Sequence, residues 1–448
     1  PAKSQNFVIH DVLASSTNAK ICDIEIDPYK KRVCWQSSDD DKLWVCRLDT
    51  VTWTLTVPDG RETLIDSALV PIDVSANSGE WGYDQYGTYI VYNKTVSRKR
   101  YVALASETAS GWYLTTLMDQ PHRMNPHATR NPNDSVAAFQ YISTIWSNFT
   151  KYKFRTNLGQ EWWIQGFTDA HWTEGEQLLT GILHNHQVGL YDPANPAAPV
   201  QLTYDNPKQY SRPYMWHAPE HGNSRMLFAN ADGEEIRVFK ETSPGTNDFR
   251  PYMAFSSPSS NPLYIKIGSP EPCVYAGQSY ITFMVSSSEC EISCFPGEIW
   301  IAKIDSVAPF FRMVSDTAIG VRSDPESFAT NDSLLVYYTE IYGENTPEPD
   351  YRLRKCDTGI GIGSFTGNDE NVRKNSTEPI IYPNPFTSRI LLKGHTGNEH
   401  YKMMSQAGKT IWAGKHIERK DFSDLRKGSY ILKVRSGMSS YSIGLIKE

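Results

Sequence analysis

The chain has 448 residues, long enough for two or more domains or for one large all-β body with an appendage. An aromatic content of 12%, with 12 Trp and 25 Tyr against 21% charged residues, excludes a disordered chain and predicts broad aromatic-rich surfaces. The net charge of −7 is split into +7 over residues 379–448 and −14 over 1–378; an acidic body without basic clusters excludes a nucleic-acid reader, and no apolar run approaches the roughly 18 residues of a spanning helix.

The first residues, "PAKSQNFVIHDVL", lack the charged-then-apolar pattern of a signal sequence, so an exported form is expected to have lost its leader already. From there to residue 357 almost no window carries a long 3.6-residue apolar period, and prolines interrupt the rest. Short β-branched and aromatic runs follow one another instead: "KRVCWQSS", "KLWVCRL", "GTYIVYNK", "RYVALAS", "GWYLTTLM", "SVAAFQYI", "RMLFANA", "SYITFMVS", "EIWIAKI" and "LLVYYTEIY". Each is bounded by turn residues and predicts a strand.

These strands fall into a weak internal repeat of incoming strand, polar turn and outgoing strand. Its members are "EIDPYKKRVCWQ", "WGYDQYGTYIVYN", "ATRNPNDSVAAFQ", "HWTEGEQLLTG", "WHAPEHGNSRMLFA", "VYAGQSYITFM" and "FATNDSLLVYYT". Successive units lie about 40 to 60 residues apart, the length of a four-stranded blade that must stack against neighbours to bury both faces. The expected fold is all-β: a β-propeller of about seven blades over residues 1–357, with a β-sandwich array as the alternative. The stretches "PYMWHAPEHG" and "DPESFATND" bring the repeat close to that of the TolB-like propellers, which the body resembles over most of its length.

The cysteines stand at 22, 34, 46, 273, 290, 294 and 356. Cys34 and Cys46 are equidistant from the turn at Asp40, and a symmetric hairpin would set them opposite each other at bridging distance. Cys290 and Cys294 would close a small loop, and Cys22 and Cys356 would tie the ends of the body, leaving Cys273 single; buried unpaired thiols are the alternative. No spacing matches a zinc site.

A propeller gathers the starts of its inner strands around a central channel, so residues just ahead of each repeat become neighbours. That position holds His127, His171, Tyr214 and Glu326, with Arg130, Arg212, His217 and Arg322 nearby. His127, His171 and Tyr214 with Arg130 and Arg212 would suit β-elimination of a uronate polymer: arginine offsets the carboxylate, and imidazole or phenol moves the C5 proton. For a binding role, Trp172 and Trp216, with Trp81, Trp162 and Trp163, would stack on sugar rings beside His217, Arg322 and Glu326. His184 and His186 alternate in sequence and, on a strand, would share a face able to hold a divalent cation; no cofactor is required by the sequence.

Residues 358–378, "TGIGIGSFTGNDENVRKNSTE", offer no apolar face and predict a flexible linker. Beyond it Pro383 and Pro385 fix an entering extended segment and deny it ladder donors, and glycine-punctuated strands suffice for a small β-sandwich over 379–448. The opening Tyr382-Pro383-Asn384-Pro385-Phe386, the "SQAGKTIWAGK" hairpin, "DLRKGSYILKV" with Gly428 and Tyr430, and a last strand with Lys447 resemble the type A C-terminal sorting domain of the type IX (Por) secretion system of Bacteroidetes. The terminal "LIKE" departs from that pattern, which usually finishes on lysine itself. The resemblance implies partners in the secretion translocon and a sortase-like processing enzyme, and a location outside the cell or on the outer-membrane surface. Asp-Ser/Thr-apolar triplets place Thr50, Ser67, Ser135, Ser306, Thr317 and Ser333 in what looks like that phylum's O-glycosylation sequon. Three functions are compatible with such a body: binding of glycans or cell-surface proteins, polysaccharide cleavage, and a protein-interaction scaffold.

Overall fold

The computed structural model describes residues 10–360 and 380–447, apart from 68, 71–77, 119–120, 131–137, 144–148, 174–175, 206–207, 288–295, 308, 317–319, 344–348, 383–386, 394–399, 406–408 and 437–438. These residues form two compact units, one before and one after the gap at 361–379.

The first unit is all-β and propeller-like. Consecutive antiparallel strands build four-stranded sheets, beginning with Ile21–Asp27, Arg32–Ser37, Leu43–Arg47 and Thr63–Asp66. Further sheets start with Glu80–Asp84, Tyr210–Ala218, Lys266–Tyr275 and Val321–Ala329. Between them the groups led by Arg123–Ala128 and Phe167–Trp172 merge into one eight-stranded sheet, because Phe149 meets Phe167 in a parallel pair. The leading strands touch in sequence, and Val321–Ala329 touches Ile21–Asp27, so the series closes on itself.

Hydrophobic clusters fill the space between neighbouring sheets. Val33 and Trp35 pack with Phe328, Leu335 and Tyr337 on one side, while Cys34 and Val45 on the other face pack with Trp81, Ile90 and Tyr92. Alternation along each strand feeds both interfaces, so both faces are apolar and water is excluded from each. The ends are joined by hydrogen bonds: His10–Leu13 pairs with Asp350–Asp357 and completes the last sheet. Asp11 there accepts bonds from the Tyr338 hydroxyl at 2.5 Å and Arg354 Nε at 3.0 Å.

This arrangement corrects several expectations. Cys34 pairs with Val45 and Cys46 with Val33, a one-residue offset that puts the two thiols on opposite faces. Neither is bridged, and Cys22 and Cys356 are free as well; Cys290 and Cys294 lie outside the described residues. His184 and His186 lie in the exposed turn after Leu179–Leu183 rather than on a strand, so strand alternation cannot align them, and among the described residues no group of three metal-type ligands converges. The expected linker begins too early: Thr358 and Ile360 are buried against the last sheet, where the Leu334 amide donates to the Ile360 carbonyl at 2.9 Å.

The second unit holds Ile380–Tyr382 paired with Leu391–Lys393 and a four-stranded sheet of Thr410–Gly414, His400–Ser405, Gly428–Ser436 and Ser439–Lys447 in that order. Its core is Ile390, Tyr401, Met403, Ile417, Phe422 and Leu432. Gly428 opens its strand at φ 149°, a region open chiefly to glycine. Tyr430 donates to the Arg426 carbonyl at 2.6 Å, and Lys447 is buried. Tyr382 ends the first strand, while Pro383, Asn384, Pro385 and Phe386 lie outside the described residues.

Candidate functional site

Six of the leading strands break their ladder at the same place. The register shifts between Cys22 and Glu25, Met124 and His127, Thr168 and His171, Ser211 and Tyr214, Gly268 and Glu271, and Ser323 and Glu326. At each bulge one residue takes a left-handed backbone: Asp23, Asn125, Asp169, Arg212, Ser269 and Asp324, with φ between 41° and 56°. Such a bulge turns the strand and re-aims the next side chains. A proline follows the left-handed residue in four of them, Pro126, Pro213, Pro270 and Pro325, where the missing N–H falls at the interrupted ladder.

The bulges place Glu25, His127, His171, Tyr214, Glu271 and Glu326 around one cavity, and Glu80 joins them from the strand Glu80–Asp84. The cavity has a 360 Å³ chamber and a 160 Å³ chamber that share Glu80, His127, His171, Tyr214 and Glu271. The larger also meets Tyr29, Arg130, Trp172, Cys273 and Phe328. Asp23, Asp169, Arg212 and Asp324 face the smaller.

Three of its side chains form an aromatic stack. His171 lies flat on Tyr214 with centroids 4.0 Å apart, and His127 meets His171 edge-on at 5.1 Å. Burial drives His171 down to about 4, assisted by the neighbouring His127, so it is neutral at pH 7. Its ring donates to the Pro213 carbonyl, while Nδ1 has no hydrogen-bond partner among the described residues. Burial also pulls His127 down, but Glu80 outweighs it and raises the imidazole above its ordinary value; Nδ1 of His127 lies 3.1 Å from Glu80 Oε1.

Carboxyl groups dominate the remaining wall. Burial raises Glu80, but His127 and Arg130 overcome it and hold Glu80 at about 2. Arg130 Nη2 bridges Glu25 Oε2 at 2.7 Å and Glu80 Oε2 at 3.1 Å. Glu271 and Glu326 share a hydrogen bond, as do Asp23 and Asp324. Burial lifts Glu271 to about 7 and Asp23 to about 6, and pushes Glu25, Asp324 and Glu326 well above the carboxylate range. Glu326 is 3% exposed, yet among the described residues its Oε1 has no hydrogen-bond partner.

The structure therefore gathers His127, His171, Tyr214, Arg130, Arg212, Trp172 and Glu326 and separates the other expected residues from them. Trp216 is buried in the core between sheets, its Nε1 donating to Ser279 Oγ at 2.8 Å. Trp81 is likewise fully buried. His217 leaves the channel for an outer 730 Å³ cavity, paired with Glu176 at 3.0 Å. Arg322 is 1% exposed, held by Asp316 and the Gly297 carbonyl. Strand alternation explains the departures of His217 and Arg322, since neither stands in the phase of the ring residues.

Glu25, Glu80 and Glu271 were not singled out from the sequence, although a signal exists. The ring is written in tripeptides of polar, any, polar: Asp23-Ile24-Glu25, Ser78-Gly79-Glu80, Asn125-Pro126-His127, Asp169-Ala170-His171, Arg212-Pro213-Tyr214, Ser269-Pro270-Glu271 and Asp324-Pro325-Glu326. In six of the seven the spacing reports the bulge itself.

Comparison with known proteins defines the second unit: residues 380–448 match the secretion system C-terminal sorting domain, which marks the chain for secretion to the cell surface or beyond it. No curated protein sequence matches the chain. A solved structure from a structural and mechanistic analysis of two prolyl endopeptidases is similar at 10% identity and TM-score 0.43, over 95% of this chain and 55% of that one. This chain thus spans about half the length of that neighbour. PorZ, an essential bacterial surface component of the type-IX secretion system of Porphyromonas gingivalis, is similar at 10% identity and TM-score 0.31, over 96% of this chain and 75% of that one.

Proposed function

We propose that the chain is type IX secretion cargo whose body is a seven-bladed TolB-like propeller that binds a glycan in its central channel, with the tail a small β-sandwich removed on delivery. The closed succession of leading strands supports the blade count. The observation that carries the binding role is the ring of polar side chains, drawn from successive sheets, around a 360 Å³ chamber. That volume falls in the range of about 300–1,000 Å³ common for small-ligand sites. Tyr29 and Trp172 bring aromatic rings to it, and the His and Glu side chains offer donors and acceptors for hydroxyls. A glycan array probed with the full chain tests the reading: retained glycans released by Tyr214→Ala support it, and an empty array from folded protein refutes it.

The polysaccharide-lyase alternative draws support from a neutral His171 stacked on Tyr214. Against it stands the charge of the wall. Arg130 is already engaged by Glu25 and Glu80, and Glu80, held ionised, repels a uronate instead of neutralising it. A protein scaffold remains the reading if no glycan binds but a surface partner does. Among the proposed modification sites, Thr50, Ser67 and Ser306 are exposed, whereas Ser333 is half-buried and donates to Asp357; Ser135 and Thr317 lie outside the described residues. An intact mass above that of the bare polypeptide would support O-glycosylation.

A further inference from the structure

The channel wall contains more acid than its own bases can balance. Asp23, Glu25, Glu80, Asp169, Glu271, Asp324 and Glu326 all face it. Facing them are two guanidiniums, Arg130 and Arg212, and the imidazoles of His127 and His171. Tyr214 and Cys22 face it too, and burial raises both, so they stay neutral; Tyr29 and Cys273 complete the titratable groups along the wall. Arg130 is bound on the Glu25 and Glu80 side, while Glu271 and Glu326 hold each other by a shared hydrogen bond.

Two buried atoms identify what the pocket lacks. Glu326 and His171 line the larger chamber, and among the described residues Glu326 Oε1 and His171 Nδ1 have no hydrogen-bond partner, although the two residues are only 3% and 9% exposed. A buried acceptor without a donor is costly, of order 1–3 kcal/mol each. Both are satisfied by a group that brings several N–H donors and positive charge. Metal coordination is the weaker fit, because among the described residues no three carboxylates, imidazoles or thiols converge at ligand distance.

We propose that the ligand of this channel is an amino sugar with a free amine, its ammonium seated between Glu326, Glu271 and His171 and its ring against Trp172. The proposal rests on the glycan-binding reading and narrows it to one substrate class. Entry of the ammonium restores the ionised forms of Glu271 and Glu326, so protons leave the site for the buffer as the ligand binds.

The test is calorimetry on the full chain at pH 7, with the glucosamine dimer, its N-acetylated counterpart and a galacturonate dimer as probes. The glucosamine dimer is expected to bind about ten-fold or more tightly than the acetylated one, with a heat that changes with the ionisation enthalpy of the buffer. Glu326→Gln is expected to abolish that preference. Glu234→Gln, an exposed charge outside the channel, is expected to leave it intact and so excludes general attraction to an acidic body. Equal affinity for the amine and its acetamide overturns the proposal while leaving glycan binding in place. Absence of binding by all sugars from folded protein overturns both, as does binding of a lysine peptide with no binding of the glucosamine dimer.

Discussion

Replacing Glu271 by glutamine tests the electrostatics of the channel without a ligand. A carboxyl held at about 7 instead of its ordinary 4.5 keeps its proton in the native state where the unfolded chain has already lost it. The native state therefore binds more protons between those two values, and stability falls as pH rises through that window. Once pH exceeds 7 the loss is complete, at most about 3 kcal/mol. Glutamine cannot ionise, so Glu271→Gln should exceed the wild type in stability at pH 8 by up to that amount, about 4 °C in melting temperature for a unit of this size. At pH 4 the two should agree within about 1 kcal/mol, the worth of the bond to Glu326. His171 acts in the opposite direction: held near 4 by burial, it costs stability as pH falls below 6.5. It is common to both proteins, so their difference isolates Glu271. Tryptophan fluorescence follows the right unit, since eleven of the twelve tryptophans precede residue 360. A variant no more stable than wild type at pH 8, or a difference that does not shrink toward pH 5, would refute the reasoning.

Asp11→Ala should destabilise the body by about 3 kcal/mol, because it strips Arg354 and Tyr338 of a buried partner at the closing sheet; denaturant unfolding followed by fluorescence measures it, and a change below 0.5 kcal/mol would contradict the role of that closure. Non-reducing peptide maps should contain no Cys34–Cys46 link, and alkylation in denaturant without reductant should label Cys22, Cys34, Cys46 and Cys356. Ser269→Val should cost about 2 kcal/mol or more, since a β-branched residue resists the left-handed backbone found there, and unchanged thermal stability would argue against the bulge. Removing residues 380–448 in the native host should trap the body inside the cell envelope, read by fractionation and immunoblot; undiminished release would count against the sorting role.

Strand composition was legible because each sheet is buried on two faces and so is written in β-branched and aromatic runs; "GTYIVYNK" and "SYITFMVS" fall within the strands Gly87–Val96 and Gln278–Ser286. The sorting tail was legible because several short motifs stand in order. Register was not. The placement of Asp40 suggests a symmetric hairpin, whereas Gln36 pairs with Leu43 and shifts Cys34 onto Val45, and nothing in composition reports that single step. The same limit separated His217 and Arg322 from the channel, because a side chain's face depends on counting from a bulge, while Trp216 shares the face of Tyr214 but lies two residues further along the strand, in the core between sheets. His127, His171 and Tyr214 were found because a distinctive residue marked them, while Glu25, Glu80 and Glu271 resemble any surface glutamate until the tripeptide spacing is laid over all the strands.

Two costs coincide at the ring. Six residues hold a left-handed backbone, at roughly 1–2 kcal/mol each for those that are neither Asn nor Asp, and a set of carboxyls is kept from water beside unsatisfied atoms. Neither is needed to close a propeller, since apolar contacts between sheets already do so. The bulges fall at one level on six strands, which argues for a shared cause acting on the channel and not for accidents of individual sheets. Replacing the ring by apolar residues would improve the core and remove the cavity's chemistry. A fold that instead retains strain and buried charge at its centre, and compensates with aromatic packing around the periphery, has the energetics of a site whose worth appears only when something occupies it.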